Sequence, residues 1–235
     1  MNNQLSVGAA LRETIPTIFG YIGIGIAFGI VGKSSGLKDI EILSMSLITY
    51  AGSAQFIMIS LLLNQTPLAS IILTVFLINS RMILMSMNTS RFFKKEPLLK
   101  NILIGTFLTD ESFALSMNKI NYTNDSLSFE WLNTSNLIAY FTWSLASLAG
   151  GFFGNFIQDS QKLGLSFALI AMFIGLLYLQ MINDRALPIK IQLLVIFFVF
   201  CLIYLGLIFI PSSFLIILVT IIGCAFGVGV KHAFV

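Results

Sequence analysis

From Ile15 almost to the C-terminus, this chain is a succession of apolar runs, each of roughly the 20 residues needed to cross about 30 Å of hydrocarbon. Such runs leave few folds open, because inside a bilayer every backbone N–H and C=O must find its partner within the protein. Composition agrees: of 235 residues, 57% are apolar and 10% are charged, against roughly 25% charged in soluble domains. With a mean hydropathy of +0.94, a water-soluble fold could not cover its own apolar surface. The expected class is therefore an all-α polytopic membrane protein, a single integral membrane domain over residues 1–235.

Breakers and charges divide the chain. A glycine-rich first span is expected over about 15–31, opened by Pro16, with a second over 40–63 and a third over 67–91. The segment 98–117 carries Asp110 and Glu111 side by side, a costly pair for a lipid-facing helix, and reads as re-entrant. A polar loop follows over 118–135, in which Phe129 and Trp131 read as interfacial anchors. Further spans are expected over 136–157, 163–182, 189–210 and 212–230. The polar first 14 residues lack the basic region and cleavage pattern of a signal peptide and read as a short mature terminus.

Cytoplasmic loops carry the excess of Lys and Arg. With eight spans, the split is seven against five. With seven spans and a re-entrant 98–117, ten basic residues (Lys33, Lys38, Arg91, Lys94, Lys95, Lys100, Lys119, Arg185, Lys190, Lys231) face two, Arg12 and Lys162. Seven spans, N-terminus out and C-terminus in, is the preferred reading. A faint echo at a separation of about 120 residues pairs 25–36 with 150–156 and 47–56 with 167–176. It divides the chain into halves 15–91 and 136–210, which seven spans would place in opposite orientation as an inverted repeat.

Three features invite chemistry. Within the second span, Tyr50-Ala51-Gly52-Ser53-Ala54-Gln55-Phe56 sets a helix-weakening glycine beside a hydroxyl and an amide that lipid would not satisfy. A helix broken here would offer Gly52, Ser53 and Gln55 to a small charged substrate. The competing structural role for Gln55 is a hydrogen bond between packed helices. Asn79 and Arg81 lie mid-way along the third span, where a cation costs at least about 2.5–3.5 kcal/mol and needs a partner or a watery cavity. Asp110 and Glu111 supply that partner, and because adjacent carboxylates repel, one of them can hold a proton or a substrate ammonium group. A purely structural ion pair is the plain alternative. The Gly25/Gly29, Gly150/Gly154 and Gly223/Gly227 pairs read first as helix-packing faces.

Other chemistries find no residues. No Ser-His-Asp grouping, nucleotide loop or dinucleotide fingerprint is visible, and the basic residues sit at the ends of apolar runs, not on a nucleic-acid face. Cys201 and Cys224 read as small core residues. His232 stands without cysteine or histidine neighbours, so neither cofactor nor metal is expected.

In order and motif the chain resembles the branched-chain amino acid exporter family of AzlC-type permeases. The resemblance rests on Phe19-Gly20, Ala51-Gly52-Ser53-Ala54-Gln55-Phe56, Asn79-Ser80-Arg81 and Leu108-Thr109-Asp110-Glu111-Ser112-Phe113-Ala114-Leu115. Beyond about residue 116 it is carried by hydropathy and length. It implies a bacterial cytoplasmic membrane, export of leucine, isoleucine, valine and methionine driven by an ion gradient, and a small AzlD-type hydrophobic subunit encoded separately. The rival readings are a non-transporting scaffold or sensor and an intramembrane enzyme using Asp110 and Glu111 as acid and base.

Overall fold

A computed structural model describes residues 3–157, 166–183, 188–210 and 212–234. Lys162, Leu163 and Arg185, used in the spans and charge counts above, lie outside them. The described residues form α1 (Val7–Ser34), α2 (Asp39–Ile48), α3 (Gly52–Leu63), α4 (Leu68–Ser90), α5 (Leu98–Phe107), α6 (Asp110–Ile120), α7 (Phe129–Gly154), α8 (Ser166–Asn183), α9 (Ile189–Phe209) and α10 (Ser212–Phe234), with no strand among them.

Local capping moves two expected boundaries. The Ser6 hydroxyl accepts from the Ala9 N–H at 3.3 Å, so α1 starts at Val7 and Pro16 lies inside it, where it leaves one carbonyl of the preceding turn without its usual donor. Ser128 caps α7 by accepting from the Trp131 N–H at 3.1 Å. The polar loop therefore shrinks to 121–128, and Trp131 is fully buried instead of sitting at an interface. Its indole N–H donates to Glu13 at 3.0 Å.

The central scaffold is the parallel pair α1 and α7. Thr14 meets Ser135, 121 residues later, at 3.0 Å, and the same offset brings Gly25 to Ala146, Gly29 to Gly150 and Lys33 to Gly154. At Gly29 and Gly150 an added Cβ would run into the backbone of the opposite helix, into Ser147 and Ile26. Glycine is thus what lets the two backbones touch, the packing role expected for these pairs. Gly223 lies against Val199 and Gly227 against Val195 in the antiparallel pair α9–α10.

Two elements fold back on themselves. Ile42 and Ile59, 17 residues apart, both pack on Gly32, and Gln55 reaches Ser46 at 3.1 Å. A straight helix would separate Ile42 and Ile59 by about 25 Å, so α2 and α3 form a hairpin with its tip at 49–51. Tyr50 takes the left-handed φ of 39° that closes the turn, an uncommon conformation for a bulky residue and one that recurs at functional sites. The expected continuous span over 40–63 is corrected accordingly. Likewise Lys100 sits over the Phe129 ring at 4.7 Å and Lys119 over the Trp131 ring at 5.6 Å, so both ends of 98–120 lie at the first turn of α7. Helices α5 and α6 are a second hairpin, as the re-entrant reading required, with its tip at 108–109.

The hairpins arise from opposite ends of the scaffold. The first is rooted beside the C-terminal end of α1, where Ser35 and Leu37 lie with Leu62 and Leu63. The second is rooted at the N-terminal end, where Lys119 pairs with Glu13 at 2.5 Å. Helix α4 connects the two ends antiparallel to α1: it follows Leu63, and Phe93 just beyond it packs with Ala10, Ile104 and Trp131. This arrangement corrects the inverted 120-residue repeat. Seven spans with one re-entrant segment would set α1 and α7 antiparallel, and they are parallel because the run 40–63 also turns back. Helix α9 has no buried residue, which leaves its apolar surface for lipid.

Candidate functional site

The two tips meet at mid-height of the scaffold. Helix α3 begins at Gly52 with Ala51 as an N-cap that offers no side-chain acceptor. Helix α6 begins at Asp110, and there Thr109 and Ser112 cap each other: the Thr109 hydroxyl accepts from the Ser112 N–H at 3.2 Å, and the Ser112 hydroxyl accepts from the Thr109 N–H at 2.9 Å. Both helix N-termini, with their partial positive charge, point into one small cavity. Asp110 and Glu111 balance that charge on α6. The first turn of α3 has no acidic residue, so its leading N–H groups form an unneutralised donor set.

Arg81 of α4 joins the tips. Its guanidinium donates to the Ser53 hydroxyl at 2.9 Å and pairs with the Asp110 carboxylate at 2.8 Å. Glu111 is held from α1, where the Tyr21 hydroxyl lies 2.6 Å from Glu111 Oε2 and 2.7 Å from Thr109 Oγ1. Trp143 of α7 closes the floor. Its ring packs edge-on against Tyr21 with centroids 5.5 Å apart and lies so near Gly52 that an added Cβ would sit 2.9 Å from it.

The cavity is lined by Tyr21, Tyr50 to Ser53, Arg81, Met82, Thr109 to Glu111 and Trp143, and has a volume of about 30 Å³. That is room for about one water molecule. A larger ligand would need this cavity to widen.

Of the residues singled out from sequence, Gly52, Ser53, Arg81, Asp110 and Glu111 share this cavity, and Gln55 and Asn79 do not line it. Gln55 is fully buried behind the first tip, where its amide donates to Ser46 and its carbonyl accepts the Trp143 indole N–H at 3.0 Å. It braces the hairpin against α7. Asn79 lies on α4 with its side-chain oxygen buried and without a hydrogen bond. Tyr21, Tyr50, Thr109 and Trp143 carried no sequence signal for a role here, although Tyr50 and Thr109 stand inside the two motifs. Among the described residues no group of three or more His, Cys, Asp or Glu could hold a metal.

Gln55→Leu strands the buried Ser46 hydroxyl and Trp143 N–H, each loss costing about 1–3 kcal/mol. We expect normal membrane insertion and a lower melting temperature in detergent. A wild-type melting temperature would remove Gln55 from any role in shaping the site.

The family model described as AzlC protein matches residues 16–157, a stretch that contains both hairpins, α4 and every residue lining the cavity. The chain is similar to the branched-chain amino acid transport protein AzlC of Bacillus subtilis (strain 168), 28% identical over a 194-residue alignment that covers 79% of this chain and 73% of that protein. It is similar to an uncharacterized membrane protein of Archaeoglobus fulgidus, 31% identical over 185 residues, 74% of this chain and 78% of that one. The inner membrane protein YgaZ of Escherichia coli (strain K12) is 27% identical over 170 residues, 71% of this chain and 69% of that protein. No solved structure matches the chain.

Proposed function

The chain belongs to the AzlC family of multi-pass membrane transport proteins, and from that membership we propose that it is a secondary transporter exporting branched-chain amino acids (leucine, isoleucine and valine, with methionine) as the large subunit of a two-component exporter. The small subunit would be an AzlD-type hydrophobic protein. The observation that carries the reading is Arg81, clasped between Ser53 of one re-entrant tip and Asp110 of the other. A zwitterion suits that geometry. Its carboxylate would take the free N–H groups of α3, with Ser53 and Arg81, its ammonium would take the acidic pair, and its apolar side chain would lie against Met82 and Trp143. Leucine efflux from proteoliposomes tests the reading: protein with its partner should release leucine faster than protein-free vesicles and faster than it releases a similar-sized polar amino acid. Equal rates would defeat it.

The two hairpins also suggest a path. Within residues 3–157 three helices, α1, α4 and α7, would cross the membrane, and the hairpins would enter from opposite faces, each able to open the cavity to its own side. Within residues 3–157 the face at the N-terminal end of α1 holds six basic residues (Arg12, Arg91, Lys94, Lys95, Lys100, Lys119), and the other holds Lys33 and Lys38. The positive-inside tendency then puts the N-terminus in the cytoplasm, the reverse of the seven-span reading. Cysteines introduced at Ser35 and Gln65, with Cys201 and Cys224 replaced, should both label from outside in sealed cells. Labelling from opposite faces would mean that 40–63 crosses the membrane after all.

A further inference from the structure

Two adjacent carboxylates face the cavity, yet their partners differ in kind. Asp110 is ion-paired to Arg81 at 2.8 Å, an arrangement that favours the ionised acid. Among the described residues no cation lies within ion-pair distance of Glu111. The groups that share the cavity with it are the Tyr21 hydroxyl from α1, the Thr109 hydroxyl at the tip, its neighbour Asp110, Arg81 of α4 paired to that Asp110, Tyr50 of the other tip and the Trp143 ring of α7. Helix α8, which also touches α6, has no charged residue in its sequence.

The chain Thr109–Tyr21–Glu111 fits both forms of the acid without moving a heavy atom. When Glu111 is ionised, Tyr21 donates to it and the Thr109 hydroxyl donates to the Tyr21 oxygen. When Glu111 carries a proton, its own O–H donates to Tyr21, and Tyr21 donates to Thr109. Tyr21 gives one hydrogen bond and takes one in either state, and when it donates to Thr109 the Thr109 hydroxyl proton can turn to Ser112 Oγ at 3.3 Å, so the relay reverses as one proton binds or leaves. Thr109 is anchored in either state, since its oxygen also accepts the Ser112 N–H. Its position at the hinge of the second hairpin places the proton where it can bias whether that tip stays docked.

We propose that Glu111 binds and releases the coupling proton, with Tyr21 as its positioning residue, while Asp110 remains committed to Arg81. The proposal rests on the transporter reading for its purpose. Its chemistry, one proton exchanged between water and Glu111, stands apart from any substrate.

Infrared difference spectroscopy of the full chain in proteoliposomes across a pH series reads that chemistry without substrate. A titrating band of a non-aqueous carboxyl should be present in the wild type, absent in Glu111→Gln and retained in Asp110→Asn. Its midpoint should be displaced in Tyr21→Phe, a variant that keeps the ring packing against Trp143 and loses only the hydroxyl. Leucine efflux supplies the second readout. Wild-type rates should change by up to about tenfold per pH unit, the limit for one titrating group, and in Glu111→Gln that ratio should fall to about one. A band that survives Glu111→Gln, vanishes in Asp110→Asn or keeps its midpoint in Tyr21→Phe overturns the assignment. A wild type that shows the band but moves no leucine overturns the transporter reading and leaves the proton site in place.

Discussion

Arg81→Ala is expected to end leucine efflux and to lower thermal stability by about 1–3 kcal/mol. The stability loss is set below the roughly 3–5 kcal/mol of a fully buried broken pair, because the side chains of Arg81 and Asp110 keep 35% and 18% of their exposure. Removing the guanidinium leaves Asp110 uncompensated at a helix start and unties the two tips from α4. Adding Asp110→Asn removes the stranded charge, so the double variant should regain part of the lost stability, the coupling expected of groups in contact. It should not regain flux, since the cation proposed to bind the substrate carboxylate is still missing. Here the scaffold reading diverges, because a structural pair that is neutralised and refolded would restore whatever the protein does. Melting curves in detergent, measured beside proteoliposome flux, separate the two.

Trp143→Ala should be the most destabilising single change near the site, by about 3–5 kcal/mol, the usual cost of truncating a buried aromatic to alanine. Its ring contacts tie α1 and α3 to α7. It stacks on Phe28 with centroids 6.2 Å apart, meets Tyr21 edge-on, and backs Gly52 at the first tip, while its N–H satisfies Gln55. Loss of the ring leaves a cavity beneath the tip and an unpaired amide within it. Trp143→Phe keeps most of the packing and loses the N–H, so its melting temperature should fall between the other two. An alanine variant as stable as wild type would mean that α7 does not position the tip.

Hydropathy made the membrane class plain, and two unsatisfied motifs pointed to the right depth. What hydropathy could not distinguish was a span from a hairpin. Helices of 10 and 12 residues joined by three make an apolar run as long as a single crossing helix, so the run 40–63 passed for a span while 98–117 betrayed itself by two carboxylates. That one turn reverses the sense of everything after it, and the parallel pairing of α1 with α7 follows. The faint echo between 25–36 and 150–156 is real as packing, because each stretch needs small residues where the other approaches, but it marks contact and not inversion. The charged core of the site was legible because burying Arg81, Asp110 and Glu111 demands an explanation. Tyr21 and Trp143 were not, since aromatics are 13% of the chain and their partners lie 88 to 90 residues away. Gln55 was noticed for its polarity, and its partners Ser46 and Trp143 became visible only when the hairpin closed.

Substrate is expected to pass between the two tips, and a cysteine at Ala51 reads that passage most directly. Ala51 lines the cavity as the N-cap of α3, is 8% exposed and has no side-chain hydrogen bond to lose. In a background lacking Cys201 and Cys224, the Ala51→Cys thiol should react with a small permeant maleimide, and leucine should slow that reaction in proportion to its occupancy while glycerol leaves it unchanged. A control cysteine at Ser35, at the root of the first hairpin, should label at the same rate with or without leucine. Labelling at Ala51 that ignores leucine, in protein shown to transport it, would place the path elsewhere and contradict the account.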